Sequence, residues 1–326
     1  MWILLSLLSM GLYIVSELLE KSYLEKGAEN AFWKMATIDG ISLFLFSMPF
    51  WVLGINESGL DPFRLVFMLP LACLPALCTV LVYVFFMLSV ERIPVSIASP
   101  IDNSADVVSF VGIFVLFLVT GMSFGVTVTP VKIAATAILI LASILFLVEN
   151  RQRLEKTETK QEIIQKKSRR YTAGMCFVFA AAIFDSGDTI LVSYLAGADT
   201  PVGEYDVITA YGFFGLILAV LSFTVITVKQ KKLWNPFAFR KEGKGYVGAY
   251  ICSAADMLAG IAYVLAVGYS PVFAPVLILS YCIFIPVFAR IFIKEKLTVR
   301  QYLIVALAIA GIIMFTVSEA VNGELI

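Results

Sequence analysis

Histidine is absent from the 326 residues, so the chain lacks the side chain that most often changes charge near neutral pH. Charged residues make up only 15% of the chain, against roughly 25% in soluble domains. Lysine plus arginine and aspartate plus glutamate number 24 each, so no net charge attracts nucleic acid. A GxxxxGK[ST] phosphate-binding loop is also missing, and the sequence therefore indicates no nucleotide hydrolysis.

The cysteines show neither a CxxC spacing nor a position in a polar loop. All five lie in apolar runs, at Cys73, Cys78, Cys176, Cys252 and Cys282. This pattern predicts free packing residues rather than a disulfide framework or a metal site. We expect neither a metal nor another cofactor. The N-terminal run lacks a basic region and a small-residue cleavage site, so we expect a retained helix.

Apolar residues dominate what is present: 60% of the chain is hydrophobic and the mean hydropathy is +0.93. A membrane-spanning helix needs about 20 mostly apolar residues. The sequence therefore predicts an all-α integral membrane protein with ten spanning helices. We place them at roughly 2–19, 35–54, 65–90, 94–119, 130–148, 171–195, 206–228, 246–268, 272–293 and 299–318.

Basic residues concentrate on one predicted side of the membrane. All lysines and arginines except Arg64 and Lys132 fall in or beside the loops that follow odd-numbered helices. The richest segments are 151–170, which we interpret as a solvated connector, and 229–244. The positive-inside rule then predicts cytoplasmic basic loops and both termini outside, in a multi-pass protein of the plasma membrane.

Two halves of the sequence resemble each other. The segment 129–148 aligns with 298–317, 89–101 aligns with 266–278, and 20–29 aligns more weakly with 191–199. These matches predict one repeat at 1–150 and a second at 171–326, joined by the linker 151–170. Because each half has five helices, an odd number, the halves should lie in opposite orientations. Inverted repeats are a transporter architecture with a site near the midplane.

The five-plus-five pattern, the proline-containing starts of helices four and nine, and FIKEKLTVRQYLIVALAIAGIIMF at 292–315 carry a family resemblance. They resemble the EamA branch of the drug/metabolite transporter superfamily. The resemblance implies a basket of helices around a central cavity and solute exchange across the membrane. It also places the acid of a short family turn at Glu295, whereas the matching first-half turn at 119–130 has none. Many members have cytoplasmic termini, but the charges here predict the reverse.

Acidic residues inside the predicted spans are the strongest functional signal. The ones that we single out are Glu17, Asp102, Asp106, Asp185, Asp188 and Asp256, with Asn103 beside the second. An ionised aspartate at a helix centre costs about 2.5–3.5 kcal/mol on insertion scales. We therefore predict that these side chains line a wet cavity, where they bind a cation or exchange protons. Two alternatives stay open: Asp102 as a helix cap in Ser99-Pro100-Ile101-Asp102, and Glu17 as a membrane-edge residue.

Tyr263 and Tyr281, in the same group of helices, can face an organic cation through cation–π contact. The sequence thus predicts a secondary transporter of a small cationic or zwitterionic solute, coupled to protons, and not an enzyme. The expected partners are that solute, protons and lipid but no nucleic acid, and the chain can act as a monomer or homodimer. One alternative is a magnesium-like divalent-cation carrier, since carboxylates suit hard ions. The other is an intramembrane prenyltransferase-type enzyme, because DNSAD and DSGD resemble its aspartate-rich segments.

Overall fold

The computed structural model of the protein describes residues 1–24, 30–58, 70–93, 101, 104–121, 127–157, 169–197, 202–231, 233–237, 244–292 and 298–322. Regular structure in these ranges is helical throughout, as a backbone in hydrocarbon requires because its polar groups have to be satisfied internally. The helices are α1 (Trp2–Leu24), α2 (Ala31–Ser58), α3 (Pro70–Val90), α4 (Ser104–Thr120), α5 (Pro130–Thr157), α6 (Arg169–Gly197), α7 (Glu204–Gln230), α8 (Lys244–Tyr269), α9 (Phe273–Leu279), α10 (Tyr281–Phe292) and α11 (Val299–Asn322).

Seven of the described helices are long and apolar enough to cross a membrane, namely α1, α2, α3, α6, α7, α8 and α11. The prediction of an all-α, multi-pass membrane protein is confirmed at this level. Shorter apolar segments at Val108–Thr120, Pro130–Phe146 and Phe273–Ile285 coincide with the predicted fourth, fifth and ninth spans. The apolar part of α5 ends in a charged run, and the ninth span is broken.

The break in the ninth span lies at Ser280, between α9 and α10. The Ser280 hydroxyl donates to the carbonyl of Leu277 at 2.6 Å, and the N–H of Ile283 donates to the carbonyl of Ser280 at 3.1 Å. These three-residue contacts replace the usual four-residue helical bonds. One turn further on, Pro286 lacks the N–H that would bond to Cys282. The predicted span at 272–293 is therefore interrupted rather than one continuous helix.

Long helices pack in antiparallel pairs: α1 with α8, α2 with α7, α3 with α6, and α5 with α11. In the first pair, the Ser9 hydroxyl donates to the carbonyl of Ala259 at 2.8 Å. Two turns later along α1, Ser16 Oγ lies 3.4 Å from Cys252 Sγ. The α8 residue number falls as the α1 number rises, which makes the pair antiparallel. Small side chains along this seam let the two backbones approach closely, as is usual in membrane proteins.

Glycine makes the α2–α7 contact possible. A Cβ atom added at Gly40 would lie 2.5 Å from the carbonyl oxygen of Gly215 and 2.7 Å from the nitrogen of Ala219. At the other end of the seam, a Cβ at Gly212 would lie 2.5 Å from the Cβ of Ser47. Any side chain at these positions would force the helices apart, so the sequence fixes their separation here.

One end of the molecule gathers charged and indole side chains. Glu91 accepts hydrogen bonds from Trp33 Nε1 and from Lys229 Nζ, and so joins α2, the end of α3 and α7. Lys34 lies 5.6 Å from the ring centroid of Trp234 and is almost fully buried. These residues all come from the predicted basic side. Their proximity agrees with that grouping, while the side of the membrane remains a prediction.

Candidate solute cavity

A cavity of about 190 Å³ lies where the two halves of the chain meet. Its walls come from α1, α2 and α3 of the first half and from α6, α7, α8, α9 and α10 of the second. The polar and aromatic residues among its lining are Tyr13, Ser47, Thr79, Tyr83, Asp185, Asp188, Thr189, Tyr211, Asp256, Tyr263 and Tyr281. Apolar side chains and Gly260 complete the wall.

Five of the residues singled out from the sequence line this one cavity: Asp185, Asp188, Asp256, Tyr263 and Tyr281. The three aspartates reach it from two helices, two from α6 and one from α8. None of the three faces outward as a fully exposed side chain. The structure therefore brings these residues together, and their role in binding stays a prediction.

Five other residues singled out from the sequence are not placed in the cavity. Asp102 and Asn103 lie outside the described residues, as does Glu295. Asp106 belongs to α4, but its side chain is outside the description. Glu17 is half-buried on α1 and is not among the cavity-lining residues.

The backbone around Asp106 nevertheless lies beside the acidic part of α6. The Ser186 hydroxyl donates to the carbonyl of Ala105 at 3.0 Å and to that of Ala182 at 2.9 Å. Ser186 follows Asp185 directly, so this contact joins α4 to the helix that carries two of the cavity acids. It fixes the neighbourhood of Asp106 without defining where its carboxylate points.

Asp188 is held by hydroxyl groups from two other helices. The Tyr211 hydroxyl on α7 donates a short hydrogen bond to Oδ1, and the Thr79 hydroxyl on α3 donates to Oδ2 at 3.1 Å. Both bonds stabilise an ionised carboxylate, since hydrogen bonds to charged acceptors are stronger than neutral ones. Asp188 thus has one partner in the first half of the chain and one in its own half.

Asp256 has a weaker contact of the same kind. The Tyr83 hydroxyl on α3 lies 3.5 Å from Oδ2, at the long limit of a hydrogen bond. Thr79 and Tyr83 are four residues apart, so one face of α3 presents hydroxyls to the acids of both α6 and α8. Asp185 also lines the cavity, but it differs from the other two acids. Its carboxylate accepts no hydrogen bond from another described side chain.

Aromatic rings form much of the remaining wall. The rings of Tyr13 and Tyr281 lie 5.2 Å apart between centroids, at an interplanar angle of 30°. The hydroxyl of Tyr13 is also close to α8, 3.8 Å from where a Cβ at Gly260 would stand. Ring faces next to carboxylates are the surroundings that attract organic cations.

Three polar residues at or near this site were missed in the sequence: Asp39, Thr79 and Tyr211. Asp39 on α2 is only 4% exposed and close enough to Asp256 for their charges to interact. The predicted helix began at 35, which put Asp39 in the first turn, whereas α2 begins at Ala31. Asp39 therefore lies in the interior of α2 rather than at its end. Thr79 and Tyr211 carry no such signal.

The polar lining of the cavity is acidic and hydroxyl-rich. Its described lining contains carboxylates and hydroxyls but no lysine or arginine. Within the described residues, no group of three His, Cys, Asp or Glu side chains is arranged to hold a metal ion. An ammonium or a proton can be balanced by these acids, whereas a diphosphate would find no basic partner among these lining residues.

Comparison with protein-family models and with curated proteins finds no match. A solved structure, described only as "Crystal structure of protein", superposes with a TM-score of 0.62 and covers 97% of this chain and 96% of its own. The two sequences are 15% identical. This similarity shows a shared fold over nearly the whole length and says nothing of what is bound.

Proposed function

We propose that the protein is a secondary transporter of the EamA type that moves a small organic cation through the central cavity in exchange for protons. The observation that carries the proposal is the convergence of Asp185, Asp188 and Asp256 on one cavity with tyrosine walls. By the insertion scale, three ionised aspartates in lipid would cost about 8–10 kcal/mol together. A hydrated cavity or a bound cation relieves that cost, because it gives each charge a partner.

The size of the cavity favours a compact solute. An apolar cavity of about 150 Å³ accommodates benzene. A volume of about 190 Å³ has room for one ring bearing a short cationic group. Such a solute would place its ring against Tyr13 and Tyr281 and its charge near Asp185, the cavity acid without a hydrogen bond from another described side chain.

Helix contacts support an inverted repeat as the basis of transport. Between α2 and α7, Gly40 approaches Ala219 and Ser47 approaches Gly212. Gly40 and Gly212 are 172 positions apart, and so are Ser47 and Ala219. Replacing each residue of the first contact by its equivalent in the other half therefore gives the second contact. A two-fold axis that relates two halves of opposite orientation requires this.

The pair α5–α11 behaves in the same way at its two ends. Thr129 Oγ1 lies 2.9 Å from Ser318 Oγ, and the Thr298 hydroxyl donates to Glu149 Oε1 at 3.3 Å. Thr129 and Thr298 are 169 positions apart, as are Glu149 and Ser318. This separation equals that of the aligned segments 129–148 and 298–317. The agreement supports ten spans, with α9 and α10 forming one, and rocking of one half against the other.

The proposal is tested with purified protein in liposomes that carry a pH gradient. The probe is radiolabelled benzyltrimethylammonium, a permanent cation that crosses lipid slowly unaided. We expect uptake driven by an outward proton gradient, with protons leaving as the cation enters. Asp185→Asn should reduce uptake by at least about tenfold, the effect of one lost charged contact. Glu149→Gln, an acid outside the cavity, is the matched control and should transport normally.

Other outcomes would replace the proposal. Uptake of magnesium without uptake of benzyltrimethylammonium would favour the divalent-cation carrier. Transfer of a prenyl group by the purified protein would favour the enzyme. Equal uptake by wild type and Asp185→Asn would remove the assigned site. Orientation is tested separately by labelling a cysteine placed in the C-terminal tail: labelling of intact cells is expected, and labelling only after permeabilisation would contradict termini outside.

A further inference from the structure

Helix α3 contacts the acids of two other helices through one of its faces. Thr79 bonds to Asp188 of α6, and one turn later Tyr83 reaches Asp256 of α8. α3 belongs to the first half of the chain, and both acids belong to the second. These two contacts therefore cross the boundary that has to change if the halves rock against each other.

The same helix contains a feature that permits movement. Pro75 lies inside α3 and cannot donate a backbone hydrogen bond to Leu71. One turn later, the Thr79 hydroxyl lies 3.3 Å from the carbonyl of Pro75 as well as 3.1 Å from Asp188. It can therefore turn between its own backbone and the acid of the neighbouring helix. Proline sites are where membrane helices bend most readily.

We propose that α3 senses whether the acids are occupied, with Thr79 and Tyr83 as the positioning residues that link cation and proton binding to motion. This inference rests on the proposed function and assigns the coupling step within the same cavity. When Asp188 and Asp256 are ionised and empty, they accept the two hydroxyls and hold α3 against the second half. When a proton or a cation occupies a carboxylate, the hydroxyl loses its strongest acceptor and α3 is released.

Proton balance follows from this arrangement. A proton carried on Asp188 leaves to water on the side where the cavity is open, and the entering cation replaces its charge. No other reactant is needed. Groups that face Asp188 from the surrounding helices are Asp185, Tyr211, Thr79, Cys78, Tyr13 and Tyr263. Those that face Asp256 include Tyr83, Tyr13 and Asp39.

The test compares Thr79→Val and Tyr83→Phe with wild type in the liposome assay above. Both variants remove a hydroxyl and keep the approximate shape of the side chain. We expect the affinity for benzyltrimethylammonium, measured by equilibrium binding, to stay within about threefold. We expect the change in exchange rate between low and high pH to shrink by about tenfold or more, because loss of one hydrogen bond to a charged group leaves α3 free to move even when the acids are ionised and empty. Thr79→Ser should restore the dependence on pH.

Matched controls remove the same hydroxyls elsewhere. Thr136→Val loses a bond to the Lys132 carbonyl in α5, and Tyr250→Phe loses a bond to the Pro236 carbonyl. Both should retain the wild-type pH profile. An unchanged pH profile in Thr79→Val and Tyr83→Phe, or an equal loss of pH dependence in the controls, would overturn the role of α3. The proposed function would stand in that case. No uptake by wild type would instead refute the proposed function and this inference together.

Discussion

Replacing Gly40 by alanine tests whether the α2–α7 seam fixes the spacing of the two halves. The new Cβ would lie 2.5 Å from Gly215 O and 2.7 Å from Ala219 N. Both are backbone atoms, which cannot rotate away as a side chain can. The first contact has to lengthen by 0.9 Å to reach the ordinary 3.4 Å. The helices therefore have to separate along the whole seam or bend locally.

The size of the effect follows from that separation. Opening a packed interface by 0.5–1 Å forfeits roughly a quarter to a half of each dispersion contact across it. Overpacked core sites lose about 1–3 kcal/mol of stability in comparable cases. Alanine in a helix interior recovers up to about 1 kcal/mol of that loss relative to glycine. We expect a net loss of about 1–2 kcal/mol in the free energy of unfolding.

The assay is unfolding of the detergent-solubilised protein by titration with sodium dodecyl sulfate. Gly11→Ala is the matched control, because nothing lies within 4 Å of a Cβ added at Gly11 in α1. This control should be as stable as wild type or slightly more so. If Gly40→Ala unfolds at the same detergent fraction as Gly11→Ala, the helices do not approach as closely as described. Transport should fall with stability, since Leu43 and Ser47 of α2 line the cavity.

Two further substitutions address the ends and the core. Burial pushes the pKa of Glu91 upward, but hydrogen bonds from Lys229 and Trp33 outweigh this and hold it below the ordinary 4.5. Glu91→Gln should therefore lower the free energy of unfolding by about 0.2–1 kcal/mol at neutral pH. The difference from wild type should vanish as the pH falls through the lowered pKa of Glu91. A difference that stays constant down to that pH would contradict the ion pair. Phe315→Ala should lower the free energy of unfolding by about 3–5 kcal/mol, because the Phe315 ring is fully buried. Phe179 is 53% exposed, so Phe179→Ala should lower it far less in the same titration. Equal losses in the two variants would refute the core assignment.

Helix content and the meeting of Asp185, Asp188 and Asp256 at one cavity follow from the same physical reason. Hydrocarbon tolerates neither unpaired backbone groups nor lone charges, so apolar length and acid position carry strong information. The spacing of Asp185 and Asp188 puts both on one side of α6, and they do line one cavity. Lengths were less predictable. The break at Ser280 depends on local hydroxyl contacts that a count of apolar residues cannot register.

The partners of the acids could not be predicted, because they come from helices distant in sequence. Thr79 and Asp188 are 109 residues apart, and neither the threonine nor Tyr211 stands out among many similar residues. Asp39 and Tyr211 are 172 positions apart, the separation that relates the α2–α7 contacts. Under the proposed inverted repeat they occupy equivalent positions. An acid in one half then corresponds to a hydroxyl in the other, which a search for like residues overlooks.

Lys132 bears on orientation in a way that sequence counting misreads. It was one of two basic residues on the sparsely charged side, and so counted against the predicted topology. In the structure its side chain is fully buried in the first turn of α5, where Nζ donates to the carbonyl of Thr127 at 2.8 Å and lies 6.0 Å from the ring centroid of Phe273. A cation at a helix N-terminus is unfavourable by itself, so these contacts offset that cost. A buried lysine that is bound to a carbonyl is not a loop charge. Lys132 therefore does not count against the predicted orientation, in which the basic loops are cytoplasmic.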